Sequence, residues 1–182
     1  MPKATPFMWV LVVKKEKDIK PLRIKYCIVV LGIFEEILYQ KSQCYAPVLK
    51  YSSLLLLTSK SVGDKRILHQ GDFNNTFCNT RIPDYKANVI RPPIGDPDFQ
   101  DDEYWLLKKT LYGLRWSPHH WYNMIKGILL KMGLNTSPHD PCLISGEHTN
   151  PSSTAWTPDL QSQLHVGIYV DEFLFYLYDP TK

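Results

Sequence analysis

The sequence lacks any hydrophobic run long enough to cross a lipid bilayer. Its aliphatic runs at residues 10–13 and 54–57 fall far short of the ~20 residues that a transmembrane helix requires. The first residues also lack the apolar segment and small-residue cleavage site of a secretory signal. We therefore expect an intracellular protein, cytoplasmic or nuclear, that has no membrane partner and keeps its cysteines reduced.

The cysteines are too few and too widely spaced to indicate a zinc site, and the net charge is too small to indicate a strongly basic protein. The chain has four cysteines, but none of them forms a CxxC or CxxH pair, so a zinc site is not expected. Lys and Arg number 21 against 18 Asp and Glu, which gives a formal net charge of +3. Such a mild excess does not by itself indicate a nucleic-acid partner.

What the sequence does contain is typical of one globular domain, or of one domain with an appendage. The chain has 182 residues, of which 44% are hydrophobic and 21% are charged. The predicted strands are residues 7–13, 23–31, 66–72 and 104–107, with two more within 164–178, and the predicted helices span about 52–63 and 117–133. Two turn-rich stretches, residues 94–103 and 147–163, are predicted to be loops. This order predicts an α+β fold, an antiparallel sheet with helices on one face.

Three acidic residues stand where strands are predicted to end or turn. Asp72 follows an apolar segment, and Asp171 and Glu172 interrupt the longest β-type run of the chain. Charge at such places is costly to bury unless it is compensated, and a magnesium ion with its hard oxygen ligands would compensate it. Two such ions about 3.5–4 Å apart could serve phosphoryl transfer. An exposed hairpin turn, with Asp72 as an ordinary turn or capping acid, explains the same residues.

Seven short segments share their order and approximate spacing with one family of enzymes. The three longest are residues 70–77 (Gln-Gly-Asp-Phe-Asn-Asn-Thr-Phe), residues 111–118 (Leu-Tyr-Gly-Leu-Arg-Trp-Ser-Pro) with Trp121-Tyr122, and Tyr169-Val170-Asp171-Glu172. They resemble Q-x-D-V-x-x-A-F, L-Y-G-L-[KR]-x-[AS]-P-x-x-W-Y and Y-V-D-D of the reverse transcriptases of copia-type LTR retrotransposons. Shorter matches lie at residues 46–50, 91–93, 105–108 and 140–143. The resemblance extends over about residues 9–178.

The resemblance implies the fingers-and-palm fold of a right-hand polymerase, whose palm is a ferredoxin-like sheet. Residues 1–65 would form a fingers-like part, and residues 66–182 a palm-like part with the catalytic acids. By the same resemblance, Asp72 and Asp171 would hold two Mg²⁺ or Mn²⁺ ions. Glu172 would be a third catalytic acid, and the backbone carbonyl of Phe73 a further metal ligand.

Three more residues acquire expected roles from the resemblance. Lys25 would bind the incoming nucleotide, and Arg115 would contact the nucleic-acid backbone. Phe77 matches the aromatic position that excludes a ribose 2′-hydroxyl and so selects deoxynucleotides. Plain core packing is an alternative explanation for Phe77.

Several residues depart from the family's pattern. Glu172 stands where the family has aspartate, and its extra methylene extends the reach of the carboxylate by roughly 1.5 Å. A displacement of ~1 Å in a catalytic site can cost about a hundredfold in rate. Cys27 replaces an arginine expected to grip the triphosphate, Leu31 replaces a lysine, and Thr76 replaces an alanine. Cys27 and Leu31 cannot pair with phosphate as the cations they replace do, but they can still pack in a folded protein. We therefore expect these replacements to impair catalysis more than folding.

Two functions follow from these residues. The first is an RNA-directed DNA polymerase of a copia-type retrotransposon, acting on a primed RNA or DNA template with deoxynucleoside triphosphates. We expect its activity to be impaired by the substitutions and by loss of the thumb, ribonuclease H and integrase segments, unless neighbouring reading frames supply them. The second is a non-catalytic nucleic-acid-binding or interaction module that retains the palm fold.

Overall fold

A computed structural model describes residues 4–14, 23–35, 40–83, 88–92, 103–147 and 163–178. The elements in chain order are β1 (Phe7–Lys14), β2 (Arg23–Val30), α1 (Lys41–Cys44), α2 (Tyr51–Gly63), β3 (His69–Asp72), β4 (Asn88–Ile90), β5 (Trp105–Leu107), α3 (Ser117–Lys131), β6 (Asn135–Thr136), β7 (Leu143–Glu147), β8 (Gln163–Tyr169) and β9 (Glu172–Tyr178). Two short 3₁₀ helices span Gly32–Phe34 and Thr76–Asn79. The predicted strands and both predicted helices are thus present, with shifts at their ends. Most of the two predicted loops lies outside the described residues.

Contacts within the chain divide it into two compact units. Unit 1 consists of Met1–Tyr45 and Phe77–Pro118, and unit 2 consists of Ala46–Thr76 and His119–Lys182. The chain therefore passes from one unit to the other at three places. The division into residues 1–65 and 66–182 is a functional one, and it stays a prediction.

Unit 1 is built from two antiparallel strand pairs. In the hairpin of β1 and β2, Phe7 lies opposite Val30, and in the pair of β4 and β5, Asn88 lies opposite Leu107. The Thr5 N–H donates to the Val89 carbonyl at 3.0 Å and so joins the two pairs. The buried core of this unit contains Phe7, Val30, Ile82, Ile90, Leu114 and Trp116.

The glycine of the Leu-Tyr-Gly-Leu motif, Gly113, lets its own backbone approach that of β2 closely in unit 1. Gly113 has a φ of +92°, and a Cβ at this position would collide with the Val30 carbonyl oxygen. The neighbouring Tyr112 carbonyl accepts a hydrogen bond from the Val30 N–H at 2.8 Å. Glycine is required here because any side chain would both strain the backbone and displace β2.

Unit 2 contains a five-stranded antiparallel sheet in the order β3-β9-β8-β7-β6. The hairpin of β8 and β9 forms its centre, as predicted for residues 164–178. The edge strand β3 pairs with β9, and this pairing brings residues from distant parts of the chain side by side. An antiparallel mixed α/β architecture is therefore confirmed for this part of the chain.

The expectation that the helices share one face of this sheet is wrong for α2 and α3. Ile125 and Leu129 of α3 line an apolar cavity together with Val166 and Ile168 of β8. Leu57 of α2 instead approaches Gly167, which faces the opposite side of the same strand. Val166 and Ile168 on one face of β8 and His165 and Gly167 on the other are all buried, so both faces of this strand are covered.

The start of α2 depends on a carboxylate from elsewhere in unit 2. The helix begins after Lys50, whose side chain makes no capping hydrogen bond. The Lys50 N–H donates to Asp140 Oδ2 at 2.9 Å, and the Ser53 hydroxyl also binds Asp140. A second oxygen of Asp140 accepts the Cys142 N–H at 2.9 Å. One buried acid thus binds the beginning of α2 to the turn that precedes β7.

Within the described part of the chain, no helix combines the length and the apolar character that a bilayer-spanning segment needs.

Candidate functional site

The two acidic motifs meet at the edge of the sheet in unit 2. β3 ends at Asp72, and β9 begins at Glu172, and these two residues are direct partners in the antiparallel register. The side chains of opposite residues in such a pair lie on the same face of the sheet. Asp72 and Glu172 are both exposed, which suits carboxylates that would act on a ligand from solvent.

Asp171 lies in the tight turn between β8 and β9. Tyr169 pairs with Glu172, so Val170 and Asp171 are the two turn residues. The Phe73 N–H donates to the Asp171 carbonyl at 2.9 Å, directly beyond Asp72. The backbone of Asp171 is therefore fixed to the end of β3, and three acidic residues share one corner of the sheet.

Val170 holds a backbone conformation that is unusual for its residue type. Its φ is +55°, and a positive φ at the first of two turn residues is typical of a type II′ turn, where glycine is the usual residue. For a β-branched residue this conformation costs on the order of 1–3 kcal/mol. Surrounding contacts must hold the turn in place.

Trp121 of α3 supplies the clearest of these contacts. Its indole Nε1–H donates to the Val170 carbonyl at 2.7 Å. Its ring lies edge-on to Phe73 with centroids 5.0 Å apart, and Phe73 in turn contacts Phe173 at 4.9 Å. Trp121 is buried, and its role in binding the turn that carries Asp171 depends on a partner 49 residues away in the chain.

The Phe73 carbonyl, a predicted metal ligand, already has a partner. The Thr76 hydroxyl donates to it at 2.7 Å, and Thr76 is almost fully buried. A carbonyl oxygen has two acceptor positions, so one remains for another partner. The replacement of the family's alanine by Thr76 therefore acts directly on a predicted site atom.

The residues at this corner fit a divalent cation only in part. Two aspartates and a backbone carbonyl are hard oxygen donors of the kind that Mg²⁺ and Mn²⁺ prefer. However, no cluster of three or more His, Cys, Asp or Glu side chains in the described ranges is arranged to hold a metal ion. The structure brings the backbones of Asp72, Asp171 and Glu172 together without gathering their three carboxylates around one point.

Comparison with known proteins identifies the family. The family model described as reverse transcriptase (RNA-dependent DNA polymerase) matches residues 2–181. The chain belongs to this family.

The relatives are Pol polyproteins of transposons. The chain is 26% identical over 174 residues to the retrovirus-related Pol polyprotein from transposon RE1 of Arabidopsis thaliana, covering 95% of this chain and 11% of that protein. It is 25% identical over 166 residues to the RE2 polyprotein of the same plant, with 91% and 11% covered. To the polyprotein from transposon TNT 1-94 of Nicotiana tabacum it is 24% identical over 135 residues, with 74% and 10% covered.

These relatives confirm the copia-type resemblance that the motifs predict. The chain spans about a tenth of the length of the polyproteins that it matches. No solved structure matches the chain significantly. The family is therefore established by sequence, and the arrangement of fingers and palm rests on the resemblance.

The remaining predicted site residues of this reverse transcriptase chain lie in unit 1. Lys25 is exposed on β2, where it pairs with Val12. Phe77 is half-buried, with its ring edge-on to Tyr112 at 4.8 Å, and its carbonyl accepts the Thr110 hydroxyl. Their roles towards a nucleotide stay predictions.

Arg115, the predicted backbone contact, is exposed and partly anchored. Its guanidinium donates to the Ile33 carbonyl at 3.1 Å, and its N–H donates to Glu35 Oε2 at 3.4 Å. Glu35 also accepts the Asn88 amide at 3.4 Å. Burial raises the pKa of Glu35, although these hydrogen bonds and the charge of Arg115 oppose the rise. Glu35 thus binds the motif that carries Arg115, and its position between Phe34 and Glu36 gives no sequence signal of this role.

Proposed function

We propose that the chain is the nucleotidyl-transferring part of a copia-type reverse transcriptase, with Asp72 and Asp171 as its two metal-holding acids. The observation that carries the proposal is the meeting of the two acidic motifs. Asp72 is paired with Glu172 in the β3–β9 register, and Asp171 is bonded through its carbonyl to Phe73. A corner shared by three acids is difficult to explain as an ordinary turn, since like charges side by side repel one another.

The chemistry of this corner follows from its oxygen donors. The carboxylates of Asp72 and Asp171 and the Phe73 carbonyl would hold Mg²⁺ or Mn²⁺, with Glu172 as a third acid nearby. Two bound ions would supply activation of a primer 3′-hydroxyl and stabilisation of the leaving pyrophosphate. The protein residues would hold these groups in line, which is most of what a phosphoryl-transfer enzyme contributes.

The fingers-and-palm arrangement completes the proposal. The sheet of unit 2 would serve as the palm, and the hairpin of β1 and β2 would belong to the fingers. Lys25 would meet the triphosphate as a point charge. Phe77 would exclude a ribose 2′-hydroxyl, and Arg115 would contact a phosphate of the nucleic acid.

Primer extension on poly(rA)/oligo(dT) with Mg²⁺ or Mn²⁺ tests this function. We expect slow incorporation of dTMP by the parent chain and a rate about tenfold to a hundredfold higher for Glu172→Asp, because the shorter side chain returns the carboxylate to the family's position. Cys27→Arg should lower KM for the nucleotide, and Asp72→Asn should reduce incorporation to background. If neither the parent nor the Glu172→Asp/Cys27→Arg variant incorporated dTMP, the proposal would be contradicted.

Thr76 offers a second, metal-based test. Thr76→Val keeps the volume of the side chain but removes the hydrogen bond to the Phe73 carbonyl, so we expect Mn²⁺ affinity to rise about fivefold, equivalent to roughly 1 kcal/mol. The free energy of unfolding should fall by about 1 kcal/mol for the same reason. Electron paramagnetic resonance of free Mn²⁺ and urea titration measure the two effects.

The matched control for this variant is Thr76→Ser, which keeps the hydroxyl. Its Mn²⁺ affinity should equal that of the parent. If Thr76→Ser and Thr76→Val change the affinity alike, the Phe73 carbonyl is not a ligand.

A second function, a nucleic-acid-binding module without catalysis, is favoured by the incomplete grouping of carboxylates and by Glu172. Primer–template binding that survives Asp72→Asn, together with no incorporation by any variant, would select it.

A further inference from the structure

Unit 1 contains a concave, positively charged surface that none of the predicted site residues occupies. Its cavity measures about 370 Å³. Three of its lining residues are the exposed cations Arg81, Lys108 and Lys109, and apolar residues including Ile82 and Leu107 form the rest. We name this surface the basic pocket.

Backbone pairing fixes the basic pocket. Arg81 and Lys109 are direct partners in an antiparallel bridge. The Ile82 N–H donates to the Lys108 carbonyl at 3.1 Å, and the Thr110 N–H donates to the Thr80 carbonyl at 2.9 Å. Residues 80–82 and 108–110 are thus held in register by backbone hydrogen bonds on both sides of the bridge. These bonds fix the backbone positions of Arg81, Lys108 and Lys109.

Two positively charged residues of the basic pocket, Arg81 and Lys109, lie directly opposite one another. Residues directly opposite in an antiparallel pair lie close on one face, and like charges there are destabilising. Within the ranges that the structure describes, the ion pair found is that of Lys60 with Asp64 in unit 2, and neither Arg81 nor Lys109 has a carboxylate partner. A fold that keeps two cations opposite one another gains stability when an anion binds between them.

We propose that the basic pocket binds a strand of nucleic acid through its phosphate backbone, as a contact separate from the acidic corner. The inference rests on the nucleic-acid partner of the proposed function, but not on catalysis. The guanidinium of Arg81 can bind a phosphate in a bidentate manner, and Lys109 can bind the same or the next phosphate as a point charge. The cavity volume lies in the range of ligand sites and admits a nucleotide unit rather than a bare ion. The apolar floor of Ile82 and Leu107 offers a surface to the sugar.

Fluorescence anisotropy with a labelled primer–template tests the proposal. The full chain is titrated in EDTA, so that the acidic corner does not contribute through a cation. Arg81→Gln/Lys109→Gln should weaken binding about tenfold or more at ~0.1 M salt, and should reduce the slope of log K against log salt by roughly 1.5–2, because two phosphate contacts are lost. Lys108→Gln should have a smaller effect, since Lys108 is not a partner in the bridge.

The matched control is Lys41→Gln/Lys131→Gln, which removes the same charge from two exposed positions on α1 and α3. It should change the affinity by less than about threefold. Equal losses in the two double variants would mean that only net charge matters, and would overturn the proposal. Thermal unfolding completes the control, because the Arg81→Gln/Lys109→Gln variant loses a repulsion and should melt no lower than the parent.

Competition identifies the ligand. Inorganic tripolyphosphate should displace the strand only weakly, because it lacks the sugars and the continuous backbone. Displacement at equal phosphate concentration would make the basic pocket a polyphosphate site and overturn the strand assignment. Asp72→Asn separates this result from the proposed function, because it should abolish primer extension and leave the affinity for primer–template measured in EDTA unchanged. Arg81→Gln/Lys109→Gln should instead weaken that affinity and raise KM for the primer–template about tenfold.

Discussion

Replacing Asp140 with alanine should lower the free energy of unfolding by about 3–5 kcal/mol, because each buried donor left without an acceptor costs about 1–3 kcal/mol. Three donors depend on this carboxylate: the N–H groups of Lys50 and Cys142 and the Ser53 hydroxyl. Asp140 is 1% exposed, so water cannot replace it. Asp140→Asn should cost less, since its one remaining carbonyl oxygen still accepts. Urea unfolding followed by circular dichroism measures both.

The same carboxylate makes part of the stability depend on pH. Burial by itself raises the pKa of Asp140, but the hydrogen bonds from Ser53, Lys50 and Cys142 and the charge of Lys50 outweigh burial and hold the pKa below the ordinary value of 3.8. A group whose pKa is lowered by folding stabilises the protein at pH values above its unfolded pKa, and this contribution is lost as the pH falls through the folded pKa. The difference in stability between the parent and Asp140→Asn should therefore be constant near neutral pH and shrink below about pH 3.8.

Glu103→Gln provides the control, because it removes an exposed carboxylate from unit 1. Its stability should stay within about 0.5 kcal/mol of the parent. A constant difference between the parent and Asp140→Asn down to strongly acidic pH would show that the charge of Asp140 does not matter.

Local elements of this fold are predictable because their signals are local. The β-branched content of β1 and β2 and the helical period of α3 between Ser117 and Gly133 both depend on neighbouring residues only. The side of the sheet on which α2 packs is different. In β8, Val166 and Ile168 alternate with His165 and Gly167, which indicates one apolar face. This pattern does not show that α2 covers the opposite face, because that packing depends on contacts with distant residues.

The arrangement of the candidate site also depends on contacts between distant residues, which local sequence patterns do not reveal. Spacing along the chain cannot reveal that Asp72 pairs with Glu172, since strand order is a long-range property, and only the family resemblance indicated their meeting. The segment that contains Asp140 also matches the family, but the match alone gives no physical role. Its role becomes visible only when Lys50 and Cys142 are found around it. The strain at Val170 is a backbone property that the residue type would argue against.

Replacing Trp121 with phenylalanine should loosen the turn that carries Asp171. The variant keeps an aromatic ring next to Phe73 but loses the 2.7 Å hydrogen bond to the Val170 carbonyl. We expect a loss of about 2–3 kcal/mol in the free energy of unfolding, from one buried hydrogen bond and the smaller ring. Because a displacement of ~1 Å in a catalytic site costs about a hundredfold in rate, any incorporation of nucleotides should fall by that order.

Hydrogen exchange gives a readout that needs neither metal nor activity. The Phe73 amide donates to the Asp171 carbonyl, so its exchange rate reports the position of the turn. Trp121→Phe should speed this exchange about tenfold or more. Tyr122→Phe is the matched control, because it removes another hydrogen bond to a backbone carbonyl, that of Pro141, from the next residue of the same helix. It should cost about 1 kcal/mol in stability and leave the Phe73 amide unchanged.

A double-mutant cycle with Val170→Gly separates positioning from packing. Glycine relieves the positive φ, so the turn no longer needs an external hold, and Trp121→Phe should cost about 1 kcal/mol less in that background. If Trp121 contributed only bulk to the core, its replacement would cost the same with valine or glycine at position 170, and the exchange of the Phe73 amide would follow global stability in every variant. Coupling between the two substitutions, together with selective exchange at Phe73, would assign Trp121 as a positioning residue for the acid that follows Val170.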